Sequence, residues 1–281
     1  MIPEKRLASG FELPVLGLGT WQMGHGDDDR DVAAIRAAIE RGITHIDTAE
    51  GYAGGHAEEL IARAIEGMDR SRLFLVSKVA PANLGRDDLL RSAEASLARL
   101  RTDYLDLYLI HHPNPSIPLE ETMAAMDELA SRGLVRHAGV SNFSVERLRE
   151  AREVAENPVV ADQVHYNLVY REPERSGLLE YCQQENVMLV AWRPVELGVL
   201  ARPETPILDE LAAKYGRTPA QVAINWLIVQ DAVVTVVKTS SLEHLEEDLG
   251  GVGWELETED VGRLREEFPG QRRRSDTVPL V

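Results

Sequence analysis

The sequence predicts an α/β protein, a single (β/α)8 TIM barrel with an N-terminal β-hairpin and extra C-terminal helices. Eight short apolar runs recur along the 281 residues, and stretches of helical periodicity separate them. Strands that alternate with helices favour a parallel sheet, and near-continuous apolar strands indicate burial on both faces. Eight such units at this length favour a closed barrel over an open sheet. The chain has no linker, repeat or low-complexity tract, so we expect residues 1–281 to form one domain.

The predicted elements follow one another in a regular order. Residues 6–15 form a hairpin with the turn Ser9-Gly10 between its strands. The predicted barrel strands are 15–18, 44–47, 73–78, 105–110, 138–141, 160–164, 188–192 and 233–237. The predicted helices are 31–41, 58–66, 88–100, 119–131, 145–156, 173–185, 207–215, 218–229, 242–249 and 259–267. Asp87, Ser144 and Thr218 are candidate N-caps, and Pro219 suits a first helical position.

The charge of the chain restricts its partners. The formal net charge is −17, which argues against binding to nucleic acids or anionic membranes. Only four of the 30 basic residues are lysines, and an acidic, lysine-poor surface is typical of proteins from a high-salt cytoplasm. The alternative is a high-GC genome, whose codons favour arginine, together with an ordinary acidic surface. We predict a halophilic protein.

The chain also carries signals of its compartment. No apolar run approaches the roughly 18 residues of a membrane helix, and residues 1–6 show no apolar signal segment. The single cysteine, Cys182, excludes an internal disulfide and suits a reducing compartment. We therefore expect a soluble cytoplasmic protein. The run Arg272-Arg273-Arg274 is interpreted as a solvated tail.

Ionisable residues follow several of the apolar runs. Three predicted strands end in or lead into Asp47, Lys78 and His111, and Tyr52 comes five residues after Asp47. Lysine and aspartate are rarely buried without a partner. In a parallel barrel the active site lies at the C-terminal ends of the strands, so we expect these four side chains to meet there. Lys238 follows the last predicted strand in the same way.

The four residue types suit proton transfer to a carbonyl oxygen. A tyrosine with a pKa near ~10 is a weak acid at neutral pH, and a neighbouring lysine ammonium lowers that pKa. An aspartate keeps a buried lysine charged, and a histidine can donate a hydrogen bond to the carbonyl. No side chain supplies a hydride, so a nicotinamide cofactor is implied. Taken singly, each of these residues is more often a structural ion pair or cap.

Six motifs identify the chain as similar to the aldo-keto reductase superfamily over essentially its whole length. They are Gly17-Leu18-Gly19-Thr20-Trp21, Asp47-Thr48-Ala49-Glu50-Gly51-Tyr52, Val76-Ser77-Lys78-Val79, Leu109-Ile110-His111-His112-Pro113, Gly139-Val140-Ser141-Asn142-Phe143 and Gln163-Val164-His165-Tyr166-Asn167. The resemblance implies that Tyr52 is the general acid, that Lys78 and Asp47 tune it, and that His111 positions the carbonyl.

The resemblance also implies a cofactor and a site for it. NADP(H) is the family default, with NAD(H) or dual use as the alternative. Ser141, Asn142 and Gln163 would hold the nicotinamide carboxamide, and Trp192 would stack on the nicotinamide ring. The full set of expected cofactor residues is Gly19, Thr20, Trp21, Asp47, Ser141, Asn142, Gln163, Trp192, Arg193, Pro194, Lys238, Thr239, Ser240, His244 and Asp248. The expected substrate pocket contains Trp21, Tyr52, His111 and His112.

Two departures from the family pattern follow the last strand. His244 stands where the family has an arginine, and Asp248 stands where it has an asparagine. Arginine grips a 2′-phosphate bidentately, whereas histidine is mostly neutral at pH 7. We therefore expect more NADH use than in a typical member. On the substrate side, His112 and Ala80 replace residues that are often aromatic, which favours small polar aldehydes, ketoacids, lactones or sugars. The short tail after Phe268 predicts little closure from that end.

Several other interpretations are weighed against this one. Gly17-Leu18-Gly19 lacks the third glycine of a Rossmann fingerprint. His111 and His112 have no acidic or cysteine cluster beside them, and neighbouring strand residues point to opposite sides, so no metal is expected. The leading function is reduction of aldehydes or ketones by a monomer. The alternatives are a polyol, sugar or lactone dehydrogenase that runs the same site in reverse, and a cofactor-binding regulatory protein with little turnover.

Overall fold

Eight parallel strands close into a barrel in this computed structural model, which describes residues 2–202 and 205–281. The barrel strands are β3 (Leu16–Gly19), β4 (His45–Asp47), β5 (Phe74–Val79), β6 (Leu105–Ile110), β7 (Val135–Ser141), β8 (Val159–His165), β9 (Met188–Trp192) and β10 (Val233–Val237), preceded by β1 (Glu4–Arg6) and β2 (Glu12–Pro14). Each barrel strand pairs with the next barrel strand along the chain, and β10 pairs with β3 to complete the closure. The predicted barrel is confirmed.

Helices surround the barrel. They are α1 (Asp28–Glu40), α2 (His56–Ala64), α3 (Arg86–Leu100), α4 (Leu119–Ser131), α5 (Val145–Val154), α6 (Glu172–Arg175), α7 (Leu178–Glu185), α8 (Pro206–Tyr215), α9 (Pro219–Ile228), α10 (Leu242–Leu249) and α11 (Thr258–Glu267). Short 3-10 turns cover Tyr52–Gly55, Arg70–Arg72, Pro81–Asn83 and Glu196–Ala201. Two helices, α10 and α11, follow the last strand, as predicted. No helix of the described residues has the length and apolar character needed to cross a membrane.

The hairpin differs from its prediction. Its strands pair Arg6 with Glu12, so the first strand ends where the sequence interpretation began it. The loop between the strands covers residues 7–11, where Leu7 donates its backbone N–H to the Phe11 carbonyl and Gly10 supplies a positive φ of 89°. Leu7, Phe11 and Leu13 bury their side chains among the inward-facing residues of the barrel. The hairpin therefore contributes to the core of the barrel.

Helix starts are partly as predicted. Ser144 and Thr218 cap α5 and α9, and Thr218 forms a capping box with Gln221. Asp87 is not a cap, because α3 starts at Arg86, two residues earlier than predicted, and Glu121 of α4 accepts the free Arg86 N–H at 2.9 Å. Asp87 instead lies in the first turn, where a negative charge favours the helix. The predicted helix 173–185 is broken by Gly177, whose φ is 80°.

Candidate active site

Four elements bring the predicted constellation together. Asp47 ends β4, Tyr52 opens the 3-10 turn that follows, Lys78 lies near the end of β5, and His111 comes directly after β6. The Lys78 Nζ lies 5.1 Å from the centre of the Tyr52 ring. The Tyr52 and His111 rings meet edge to face, with centroids 5.6 Å apart. The four side chains thus meet at the C-terminal ends of neighbouring strands.

Lys78 is fully buried, and its charge is held by two oxygens. Its Nζ donates to Asp47 Oδ1 at 2.6 Å and to the Thr48 carbonyl at 2.7 Å. The second Asp47 oxygen accepts from Gln163 Nε2 at 2.7 Å. Burial acts to lower the pKa of Lys78, but Asp47 and Tyr52 oppose it, and the net pKa is raised. Lys78 therefore stays positively charged although its side chain is fully buried.

Tyr52 and His111 both favour their neutral forms. Burial raises the pKa of Tyr52, and the opposing effect of Lys78 is smaller than that of burial. Lys78 acts to lower the pKa of Tyr52, as predicted, but the cost of desolvating the charged phenolate is larger and was not included in that prediction. Burial, then Lys78, then His112 lower the pKa of His111 to about 2. At neutral pH Tyr52 therefore carries a proton to donate, and His111 is an uncharged imidazole.

The loop after β7 places an amide group beside these residues. Asn142 has a left-handed backbone with a φ of 63°, and its N–H donates to the Gln163 carbonyl at 3.0 Å. Its Nδ2 donates to the His111 carbonyl at 3.1 Å and to Ser141 Oγ at 2.8 Å. Its Oδ1 is buried and has no partner among the described residues. A free, buried acceptor of this kind fits the N–H group of a nicotinamide carboxamide.

Trp192 ends β9 and is held in orientation by a histidine. The Trp192 ring stacks on His165 with centroids 4.1 Å apart and an interplanar angle of 10°. His165 in turn contacts Ser275 Oγ and Glu196 Oε2, each at 2.8 Å. Sequence reasoning assigned no role to His165, although it lies in the quoted motif. Trp192 is thereby fixed as a flat apolar wall of the cavity.

A cavity of about 920 Å³ joins most of the predicted residues. Those lining it are Gly19, Trp21, Asp47, Tyr52, His111, His112, Ser141, Asn142, Gln163, Trp192, Arg193, Pro194, Lys238, His244 and Asp248. Thr20 does not line the cavity: it is buried, and its hydroxyl donates to the Asp47 carbonyl at 3.1 Å and supports the strand end. Thr239 and Ser240 line a neighbouring pocket of about 380 Å³, which shares Lys238 and His244 with the cavity.

Arg30 also lines the smaller pocket, and the sequence did not indicate this residue as part of the site. Its Nε donates to the Ser240 carbonyl at 3.1 Å, which places a second cation beside Lys238. Ser240 Oγ donates to Asp31 Oδ1 at 2.8 Å. Arg30 is an exposed residue in the first turn of α1, and no motif marks it. Only the approach of α1 to the loop after β10 reveals it.

The C-terminal tail is only partly as predicted. Arg272 donates its N–H to the Val169 carbonyl at 2.7 Å and accepts from the Arg171 N–H at 2.9 Å, so the tail is docked on the barrel. Thr277 and Val278 line the large cavity. The side chains of Arg272, Arg273 and Arg274 are exposed, as expected of a solvated run. The backbone of the tail is nevertheless docked, and the tail contributes to the cavity wall, whereas little closure was expected from this end.

His111 and His112 also differ from their prediction. Their rings stack with centroids 4.7 Å apart, because both residues lie beyond the end of β6 and no longer alternate across a strand. Residues 2–202 and 205–281 contain no group of three histidine, cysteine or acidic side chains that could hold a metal ion. The histidine pair instead forms a neutral polar wall, and burial, followed by Lys78, also lowers the pKa of His112.

The closed parallel barrel carries an aspartate, a tyrosine, a lysine and a histidine together at its strand ends, which is the arrangement predicted for a barrel-fold oxidoreductase. Comparisons with known proteins identify the family of the chain. The model of the Aldo/keto reductase family matches residues 15–267. The chain therefore belongs to the aldo/keto reductase family, and it is an NAD(P)H-dependent oxidoreductase of that family.

Individual relatives and structures agree with this membership. The chain is 37% identical to methylglyoxal reductase YeaE of Escherichia coli K12 over 273 residues, which cover 95% of each protein. It is 34% identical to glyoxal reductase of Bacillus subtilis 168 over 261 residues, which cover 92% of this chain and 90% of the relative. The crystal structure of the thermostable aldo-keto reductase Tm1743 has a TM-score of 0.91 and 47% identity, covering 94% of this chain and 99% of that one. An aldo/keto reductase of Klebsiella pneumoniae with NADP and acetate has a TM-score of 0.87 and 35% identity, with full coverage of both chains.

Proposed function

We propose that the protein reduces small polar aldehydes and ketones to alcohols, with NADPH as the cofactor and Tyr52 as the proton donor. The observation that carries this proposal is the contact between protonated Tyr52 and the buried Lys78 ammonium, 5.1 Å from the ring centre. A bound NADPH supplies the hydride, and the residues around it bind, orient and protonate the carbonyl group.

The proton-transfer step follows from the charges of the site. Negative charge that develops on the carbonyl oxygen is stabilised by the Tyr52 hydroxyl and by His111, which in its neutral form can donate one N–H. Tyr52 transfers its proton to the oxygen, and the resulting phenolate is stabilised by Lys78. Asp47 holds Lys78 through the 2.6 Å ion pair and keeps it charged throughout. Because the pKa of Tyr52 is raised, the site favours the acid form, which is the form that reduction needs.

The cofactor residues are assigned because their side chains line the two pockets and carry groups that match parts of NADPH. Asn142 Oδ1, Ser141 and Gln163 would hold the carboxamide, and Trp192 would stack on the nicotinamide ring. Lys238 and Arg30 would bind the 2′-phosphate, which supports NADPH although His244 replaces the usual arginine. A relative named NADPH-dependent codeinone reductase 1-1, from Papaver somniferum and 34% identical, supports the same cofactor.

The substrate class is proposed from the lining of the cavity and from the relatives. His111 and His112 form a polar wall, and Trp21 is 37% exposed at the cavity surface, so the pocket suits small polar carbonyl compounds. The names of the two bacterial relatives, methylglyoxal reductase and glyoxal reductase, support small aldehydes bearing a second carbonyl. Oxidation of a polyol, sugar or lactone is the reverse of the same step and requires the Tyr52 phenolate, which burial disfavours.

The test is turnover by wild type and by Tyr52→Phe on a panel that includes methylglyoxal and glyoxal, with each nicotinamide cofactor. We expect kcat with NADPH to fall by about 10²- to 10⁴-fold in Tyr52→Phe, because the proton donor is lost. Tyr108→Phe is the matched control, since Tyr108 is buried on the helix side of β6 and its hydroxyl has no partner among the described residues. Equal inertness of wild type and Tyr52→Phe, with cofactor binding kept, would instead favour a regulatory protein.

We also propose that residues 1–281 form one domain, and that the protein is cytoplasmic and monomeric and binds neither nucleic acid nor membrane. The net charge of −17 and the low lysine content support a saline cytoplasm. Buried Cys182 suits a reducing compartment.

A further inference from the structure

Arg193 lies at the wall of the large cavity on an unusual backbone. It directly follows Trp192, and its φ of 58° lies in the left-handed region, which costs free energy for a residue with a side chain. Its carbonyl accepts from Asn167 Nδ2 at 2.8 Å and from the Glu196 N–H at 3.0 Å. These bonds hold the strained backbone in place.

The guanidinium group of Arg193 sits among aromatic rings and the C-terminal tail. Its Cζ lies 5.0 Å from the centre of the Trp21 ring and 5.3 Å from that of Trp192. Its Nη1 donates to Thr277 Oγ1 at 3.1 Å, and the other guanidinium nitrogens make no hydrogen bond to a described residue. The group is therefore oriented by stacking while most of its donors remain available.

Arg193 also lacks a counter-charge. No described carboxylate forms an ion pair with it, although many arginines of this acidic chain are paired. Among the acidic residues that line the same cavity, Asp47 is already bound to Lys78. Glu247 and Asp248 belong to α10, beside His244, which reaches the smaller phosphate pocket. Arg193 does not line that smaller pocket.

We propose that Arg193 recognises a carboxylate or similar oxyanion on the substrate, so that preferred substrates are aldehydes or ketones that carry a negative charge. The inference rests on the proposed carbonyl reduction and deepens it. A guanidinium with free donors binds a carboxylate bidentately, and Tyr52 and His111 in the same cavity can then engage the carbonyl of the same molecule. A phosphate of the dinucleotide is the other source of an oxyanion, and the experiment separates the two.

The test compares 4-carboxybenzaldehyde with 4-formylbenzamide, which have nearly the same shape and differ by one charge. We expect wild type to prefer the carboxylate, and we expect the ratio of the two kcat/KM values to fall by about ten- to a hundredfold in Arg193→Gln. Most of this loss should appear in KM, and Arg193→Lys should restore part of the ratio. Arg202→Gln is the matched control, because Arg202 lines the same cavity and also has no ion pair with a described residue.

Three measurements make the outcome decisive. An unchanged ratio in Arg193→Gln overturns the proposal. So does a tenfold or larger rise in the Kd for NADPH with equal losses on both aldehydes, which would assign Arg193 to a cofactor phosphate. Binding of the two aldehydes to the NADPH complex of Tyr52→Phe, with and without Arg193→Gln, is measured by calorimetry. That readout needs no turnover, so a failure of the proposed reduction is distinguishable from a failure of anion recognition.

Discussion

Replacing Asp248 with asparagine should stabilise the protein, and by an amount that depends on pH. Asp248 lies in the last turn of α10 and is only 7% exposed. Burial, and then the neighbouring charge of Glu247, raise the pKa of its carboxyl from 3.8 to about 8. The partial negative charge at a helix C-terminus also disfavours an anion at this position. Asparagine keeps the shape of the side chain and removes the titration.

The magnitude follows from proton linkage. The folded-state pKa lies above the unfolded value, so the folded protein binds more protons than the unfolded chain between pH 3.8 and about 8. The free energy of unfolding therefore falls as pH rises through that range, by at most about 1.4 kcal/mol per pH unit. At pH 7 this sums to an upper limit of about 4 kcal/mol. The cavity beside Asp248 admits water, which reduces the cost of the charge, so we expect a gain of about 1–3 kcal/mol for Asp248→Asn.

Urea unfolding, followed by circular dichroism between about pH 4 and about pH 9, measures this gain. The difference between Asp248→Asn and wild type should be smallest near pH 4, rise with pH, and level off above about pH 8. Glu243→Gln removes one negative charge from the exposed first turn of the same helix and serves as the control. A difference that stays constant across the whole range would refute the assignment of a buried, proton-binding carboxyl at residue 248.

Two further predictions concern the cofactor and the surface. Arg30→Ala should raise the Kd for NADPH about tenfold and leave the Kd for NADH unchanged, because only NADPH carries the 2′-phosphate. Arg36→Ala, on the same helix, is the control. Equal losses of affinity for the two nucleotides would argue against this role of Arg30. Activity and unfolding free energy should both rise from low salt to molar KCl, because counter-ions screen the charge of −17; full stability and activity at low salt would contradict the halophilic interpretation.

The barrel and the catalytic candidates were accessible from the sequence because both depend on local pattern. Each barrel strand is a short apolar run, and the periodic helices between them leave few ways to pack. Asp47, Lys78 and His111 stand out since an ionisable residue at the end of a buried strand requires a partner. Their convergence follows once the strands are parallel, because the C-terminal ends of parallel strands share one face.

Residues contributed from distant segments were not accessible in this way. Arg30 reaches Ser240 across 210 positions, and Arg193 meets Thr277 across 84. The docking of the tail depends on backbone bonds from Arg272 to Val169 and Arg171, which hydrophobic periodicity does not encode. The start of α3 was missed for a similar reason, since its free N–H group is satisfied by a side chain from α4.

The sequence by itself determined the barrel, the order of its elements and the candidate residues for proton transfer. Only the tertiary structure decided their protonation states. Lys78 alone would lower the pKa of Tyr52, yet burial raises it, and burial holds His111 neutral with a pKa of about 2. The physical reason is that the cost of desolvation depends on every atom that excludes water from a group, and those atoms come from all parts of the chain.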